Sequence, residues 1–179
     1  MTTGARPALR RASVLVPIYR DAEGGLRLVM LRRSPGGIHG GQLAFPGGRP
    51  EPADQTPFHT ALREAEEEIG LPPSRVHLLE PLPPLQTFTS GYVIAPFLAR
   101  IEPPEAWRPD PREVDAVLDL RLDDLARPES LGEVVEQYPS WPEPRRIEFY
   151  KVGEDRLWGL SYRILRPLLP RLLAGEWKV

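Results

Sequence analysis

Apolar residues fall along this chain mostly in short blocks bounded by turn residues, with two stretches at helical spacing. Residues 13–19 (SVLVPIY) are β-branched and apolar and predict a strand. Residues 21–25 (DAEGG) supply a turn, and 26–32 (LRLVMLR) the second strand of a hairpin. A glycine-rich loop over 34–41 precedes a short strand at 42–45, which ends at Pro46, Gly47 and Gly48. Residues 81–87, 92–101, 116–120 and 145–152 predict further strands, the first confined by Pro83 and Pro84 to an edge or a broken start. Short helices are expected over 122–125 and 130–136. Over 161–173 the leucines recur at helical spacing, and Pro167 and Pro170 predict a kink or a split there.

The clearest helix begins near residue 57. Thr56 can cap it, and Pro57 can stand first, where a missing N–H costs nothing. Leu62, Ala65 and Ile69 offer an apolar face at i, i+3 and i+7. Gly70 suits the C-cap, and Pro72-Pro73 forbid continuation.

With 179 residues, 41% of them hydrophobic and 27% charged, the chain fits one globular domain. A flexible arm is expected over 1–11 and a single domain over 12–179. The formal net charge of −2 carries no global field toward nucleic acid, so no nucleic-acid partner is expected. No cysteine is present, which excludes disulfides, thiolate metal sites and a cysteine nucleophile. No apolar run reaches the roughly 18 residues of a membrane span, and no secretory segment follows the basic start, so a cytoplasmic protein without a membrane partner is expected. Lys151 and Lys178 are the only lysines, asparagine is absent and proline is abundant. That pattern suits a heat-adapted source or a GC-rich genome equally.

The chemistry concentrates between Gly47 and Leu71. On a helix, Glu64, Glu67 and Glu68 share one face at i, i+3 and i+4. Like charges so placed repel one another. A hard divalent cation such as Mg²⁺ removes that conflict, because it takes carboxylate oxygens and keeps waters for substrate phosphates. Arg63 stands four residues before Glu67 and can hold it by an ion pair, while Glu66 points elsewhere. Gly47-Gly48 lets backbone approach a ligand closely.

This segment resembles the Nudix box. Arg63, Glu64, Ala65, Glu67, Glu68, Gly70 and Leu71 fill its second half, Gly48 fits its first glycine, and Asp54 takes its first acidic position. The spacer from Asp54 to Arg63 is one residue longer than in the common box, and Asp replaces the usual Glu. A subfamily that hydrolyses coenzyme A carries an extension just before the box. Here Leu31-Arg32-Arg33-Ser34 and the run from His39 through Gln42 and Phe45 to Gly48 resemble it. So do Leu82–Leu85, Thr89–Tyr92 and Pro96, Pro111–Val114, and Leu157–Ser161. Gly37 stands where that subfamily has an arginine, in a loop one residue shorter. Arg32, Arg33 or Arg49 could compensate.

The resemblance implies an α/β/α sandwich with a mixed β-sheet between helices. It implies Mg²⁺ or Mn²⁺ held by Glu64, Glu67, Glu68 and the Gly48 carbonyl, with Arg63 orienting Glu67. The reaction implied is hydrolysis of a pyrophosphate bond, most readily coenzyme A to 3′,5′-ADP and 4′-phosphopantetheine, with a box glutamate or Glu113 as base. Arg33, Ser34, His39 and Gln42 are the candidate substrate contacts. Phe88 and Tyr92 are read chiefly as core, and Trp158 as packing the last helix, with base stacking the lesser reading for each. Arg145-Arg146 is read as a solvated pair. ADP-ribose, NADH or another dinucleotide is the alternative substrate, and a non-catalytic metabolite-binding module the distant alternative. Pairing of exposed edge strands offers a route to a homodimer.

Overall fold

The computed structural model describes residues 10–36, 39–87, 91–138 and 141–179. Of the positions singled out above, Gly37, Phe88, Thr89 and Ser90 lie outside them. In chain order the strands are β1 (Arg10–Arg20), β2 (Leu26–Arg33), β3 (Leu43–Ala44), β4 (Gly47–Gly48), β5 (Val76–Pro81), β6 (Leu85–Gln86), β7 (Tyr92–Ile101), β8 (Val114–Arg121), β9 (Leu131–Glu136), β10 (Arg145–Val152) and β11 (Asp155–Trp158). The helices are α1 (Pro57–Ile69), α2 (Leu122–Ala126) and α3 (Gly159–Leu173).

β1 and β2 form the predicted hairpin and then splay apart. Their pairing covers only Ile18↔Leu28 to Arg20↔Leu26. Beyond it the gap is filled by the segment that follows the glycine-rich loop. β3 pairs with β2 at Leu31 and Arg32, and β4 pairs with β1 at Ser13 and Val14. The other edge of β2 carries β8 antiparallel, and the other edge of β1 carries β7 parallel, so the sheet is mixed. β5 and β6 extend it beyond β7.

Alternation along β1 and β2 sends apolar side chains to both faces. Leu15, Val29 and Leu31 pack with Ala61, Ala65 and Ile69 of α1. Val16, Ile18, Leu28 and Met30 pack with Ile164, Leu165, Leu168, Leu169 and Leu172 of α3, joined by Leu122 and Leu125 of α2. A second, three-stranded sheet (β11-β10-β9) adds Tyr150 and Leu157 to that layer. The result is the expected α/β/α sandwich around a mixed sheet.

Four expectations are corrected. Residues 131–136, read as part of a helix, form β9, whose backbone is taken up by pairing with β10 from Leu131↔Tyr150 to Glu136↔Arg145. Of the kink or split expected in the last helix, the split does not occur: α3 is one helix, with Pro167 and Pro170 both on its exposed face. There the carbonyls left without a helical donor can take water. Leu62 is not part of the α1 anchor; it is half-buried, and Ala61 takes its place in the core. Arg10 and Arg11, placed in the arm, belong to β1.

Candidate active site

The carboxylate face is presented by α1, and local sequence explains its rigidity. Thr56 Oγ1 accepts the His59 N–H at 3.2 Å, and Pro57 opens the helix. Gly70 closes it at φ 70°, with its N–H donating to the Glu66 carbonyl at 3.0 Å. A side chain at residue 70 would collide with Arg108 Cβ at 2.8 Å, so glycine is required there for space as well as for its φ. With Ala61, Ala65 and Ile69 docked on the sheet, Glu64, Glu67 and Glu68 turn toward β4 and the start of β8. Glu66 is exposed, as expected.

Each box glutamate has a different environment. Glu68 is buried, at 3% exposure, and its Oε2 accepts the Gly47 N–H at 2.8 Å. Burial lifts its carboxyl to about 7; the charges of Glu64 and Glu113 add to the rise, and the Gly47 N–H and Arg33 oppose it. Glu64 is also raised, chiefly by burial, against the pull of Arg63. Its carboxylate lies where a side chain of residue 48 would be, 2.3 Å from a Cβ built there. Glu67 is the exposed member, held by Arg63 Nη1 at 2.8 Å.

Arg63 joins the two halves of the box. It donates through Nε and Nη2 to Asp54 at 3.2 Å each, through Nη2 to the Arg49 carbonyl at 2.8 Å, and through Nη2 to Glu64 Oε1 at 3.1 Å. Asp54 also accepts the Glu51 N–H at 2.8 Å and the Thr60 hydroxyl at 2.9 Å. The Arg63 bonds, ahead of these, hold its carboxyl down at about 2. The longer spacer is thus closed by a permanently ionised pair, which fixes Arg63 before any ligand arrives.

Across from α1, the start of β8 brings in Glu113. Arg33 of β2 is paired with Val114, and the Ser34 N–H donates to the Glu113 carbonyl at 2.8 Å. Glu64, Glu67, Glu68, Asp110, Arg112 and Glu113 together line a cavity of about 260 Å³. Asp110 and Arg112 form an ion pair at 2.6 Å, which holds the Asp110 carboxyl down at about 2. Arg112 stood in a motif match, but neither residue was singled out from the sequence for a role. They sit in a proline-flanked loop with no periodicity, and only the fold brings them to the carboxylates.

The substrate candidates divide. Arg33 sits close enough to pull on the Glu68 carboxyl, and Ser34 Oγ donates to the Pro111 carbonyl at 3.2 Å. His39 Nδ1 and Gln42 Oε1 are 3.2 Å apart, and this pair lies in the loop bound to Arg33 by the Gly41 N–H at 3.0 Å. Arg32 is taken up by Asp115 at 3.2 Å and Asp155 at 2.5 Å. Trp158 does not pack into the core beneath α3. It is half-buried and stacks on Tyr138, with ring centroids 5.3 Å apart and planes at 14°. Arg145 lies over Trp141 and Arg146 pairs with Glu133, so the two arginines serve different neighbours.

The donors facing the cavity are oxygens, the kind a hard divalent cation takes. A cradle between Gly48 and Glu64 and a buried carboxylate among like charges both suit such an ion. Among the described residues no three of these groups already converge at ligand distances. Glu67 and Glu64 are turned to Arg63, and Glu68 to Gly47.

Comparison with known proteins agrees with the geometry. The family model of the NUDIX domain matches residues 9–144. The Escherichia coli K12 protein named uncharacterized Nudix hydrolase NudL is 36% identical over 168 residues, covering 89% of this chain and 81% of that one. The crystal structure of a Nudix hydrolase from M. smegmatis, RenU, superposes with a TM-score of 0.64 at 17% identity, covering 96% of this chain and 89% of that one. The NUDIX domain of Shewanella oneidensis NrtR, solved with ADP ribose, gives a TM-score of 0.52 at 17% identity, covering 69% and 80%. The last two speak for the fold, and the family model and the relative for the lineage. This chain belongs to the Nudix family and is a Nudix hydrolase, an enzyme of the pyrophosphohydrolase class.

Proposed function

We propose that this enzyme hydrolyses the pyrophosphate bond of a nucleoside diphosphate derivative with Mg²⁺ or Mn²⁺, and that its substrate is coenzyme A. The observation that carries the reading of the site is the opposition of Glu113, in the turn just before β8, to Glu64, Glu67 and Glu68, from α1, across one cavity. A divalent cation bound to such carboxylates supplies charge neutralisation for the pyrophosphate and Lewis acidity toward an attacking water.

The protein's own groups do the rest. Glu64, Glu67 and Glu68 would hold the cation, with the Gly48 carbonyl as a further oxygen donor. Arg63 tethers Glu67 and Glu64 beside the cavity, which limits how far their oxygens must turn to meet a cation. Glu113 stands across the cavity, where a base can take the proton of the water that attacks phosphorus. The bond from that phosphorus to the bridging oxygen breaks, and the second phosphate leaves with its group. Arg33 places positive charge at the cavity edge beside Glu68.

Coenzyme A is favoured because the two stretches that resemble its subfamily meet at this edge. The Arg33 N–H donates to the Gln42 carbonyl at 3.0 Å, and the Gly41 N–H to the Arg33 carbonyl. The products would be 3′,5′-ADP and 4′-phosphopantetheine. ADP-ribose is the competing reading, on the strength of the NrtR domain solved with it.

The test is kcat/KM for coenzyme A, ADP-ribose, NADH and diadenosine polyphosphates on one sample, with each metal. Coenzyme A ahead by tenfold, about 1.4 kcal/mol of transition-state preference, is the expected outcome. ADP-ribose or NADH in the lead overturns the substrate and keeps the reaction.

A further inference from the structure

Arg49 follows Gly48 directly, and its carbonyl is already bound to Arg63. Its exposed side chain turns back over the ring of Tyr92, 5.3 Å from the centroid. Arg10, which is paired with Tyr92 in the β1–β7 register, lies over the same ring at 5.7 Å. Among the described residues neither guanidinium has a carboxylate partner. The neighbouring segments 1–9 and 88–90 contain no Asp or Glu to supply one. By contrast Arg32 of β2 and Arg63 of α1 are held by carboxylates. The Tyr92 hydroxyl is buried and has no hydrogen-bond partner. Two unneutralised cations held at one ring repel each other, and an anion bound by both removes the repulsion.

We propose that Arg10 and Arg49, braced on Tyr92, bind a phosphomonoester carried on the ribose of the nucleotide, separate from the pyrophosphate that is cut. Guanidinium forks suit a phosphate dianion, and the aromatic ring orients both at little entropic cost. The site stands one residue beyond the glycine at the carboxylate cavity, so a single nucleotide can reach both. It also offers a phosphate contact in place of the arginine replaced by Gly37, since Arg32 is taken up by Asp115 and Asp155. The proposal deepens the coenzyme A reading, because coenzyme A carries a 3′-phosphate and ADP-ribose does not.

The test is calorimetric titration of the full chain with Mg²⁺ present, using 3′,5′-ADP and 5′-AMP, which differ only in the 3′-phosphate. The wild type is expected to bind 3′,5′-ADP at least tenfold more tightly. Arg49→Gln and Arg10→Gln, which keep the stem on Tyr92, are each expected to remove most of that ratio while leaving 5′-AMP binding unchanged. Equal affinity for the two ligands in the wild type overturns the proposal. So does a ratio intact in both variants, or a loss that falls equally on both ligands. Coenzyme A turnover on the same sample separates the two readings. A 3′-phosphate preference without coenzyme A cleavage sinks only the substrate. Coenzyme A cleavage without that preference sinks only this phosphate site.

Discussion

Glu64 occupies the place that a side chain at Gly48 would take, with its Oε1 only 2.3 Å from a Cβ built there. At Gly47 the obstacle is backbone instead: a Cβ would fall 2.2 Å from the Ser13 carbonyl oxygen, at φ 155°. The two adjacent glycines should therefore fail differently. Gly48→Ala moves a flexible carboxylate, so melting should change little while kcat falls at least about tenfold through misplaced metal oxygens. Gly47→Ala has nothing soft to move and should cost about 2 kcal/mol or more of stability. Thermal melts beside turnover assays separate them, and equal loss of stability in both variants would contradict the geometry.

Glu67 is the carboxylate whose removal should be felt in rate alone. It is exposed, and among the described residues its side-chain partner is Arg63. Glu67→Gln should lower kcat by a factor on the order of 100 or more, since a cation ligand is lost. The melting temperature should stay within about 2 °C, because exposed ion pairs contribute little to stability. Near-normal turnover would remove Glu67 from the metal site.

A proton on Glu68 should make the metal-free protein less stable as pH rises. In the unfolded chain this carboxyl ionises near 4.5, and in the folded one near 7. Between those values the folded state holds more protons than the unfolded state, so stability falls with rising pH. Melts in EDTA at pH 5 and 7.5 should show a larger drop for wild type than for Glu68→Gln, which has no proton to lose. Mg²⁺ should restore more stability at pH 7.5 than at pH 5. An identical slope in both proteins would show that Glu68 does not carry the effect.

Arg63 should matter to both stability and rate, because it ties Asp54 to Glu64, Glu67 and the Arg49 carbonyl. Arg63→Lys keeps the charge but cannot span those groups with one ammonium. It is expected to melt earlier and to lose kcat more than KM. Arg63→Ala should do the same more severely. A lysine variant with wild-type kcat would show that the fork geometry is unnecessary.

How much of this was legible in the sequence depended on whether a residue's role is local. α1 was readable end to end, because Thr56, Pro57 and Gly70 act within a turn of themselves. Its core face was not, since Leu62 outweighs Ala61 in hydrophobicity while the close approach of helix to sheet selects the smaller side chain. Residues 131, 134 and 135 have helical spacing, yet β10 claims their backbone. β5 and β11 went unread because one ends at a proline and the other is only four residues long and begins with two charged ones. In the site, the glutamates were visible from spacing and Glu113 from resemblance. The Arg10–Tyr92–Arg49 cluster depends on strands far apart in sequence, so no local pattern announces it.

The parallel pairing of β1 with β7 has a consequence for how the molecule forms. The splayed hairpin, β4 and α1 draw on a near-contiguous stretch of chain and can assemble early. β1 keeps one edge open until β7 arrives, and its partners run as far along the chain as Arg100. Closing so long a loop before its contacts form is slow. During synthesis an apolar strand, Ala12 to Ile18, therefore waits with unpaired backbone, a ready template for another copy of itself. The carboxylate helix can thus form before β7 joins its sheet and before Glu113, which follows β7 in the chain, and expression at lower temperature or with chaperones present should raise the yield of native enzyme.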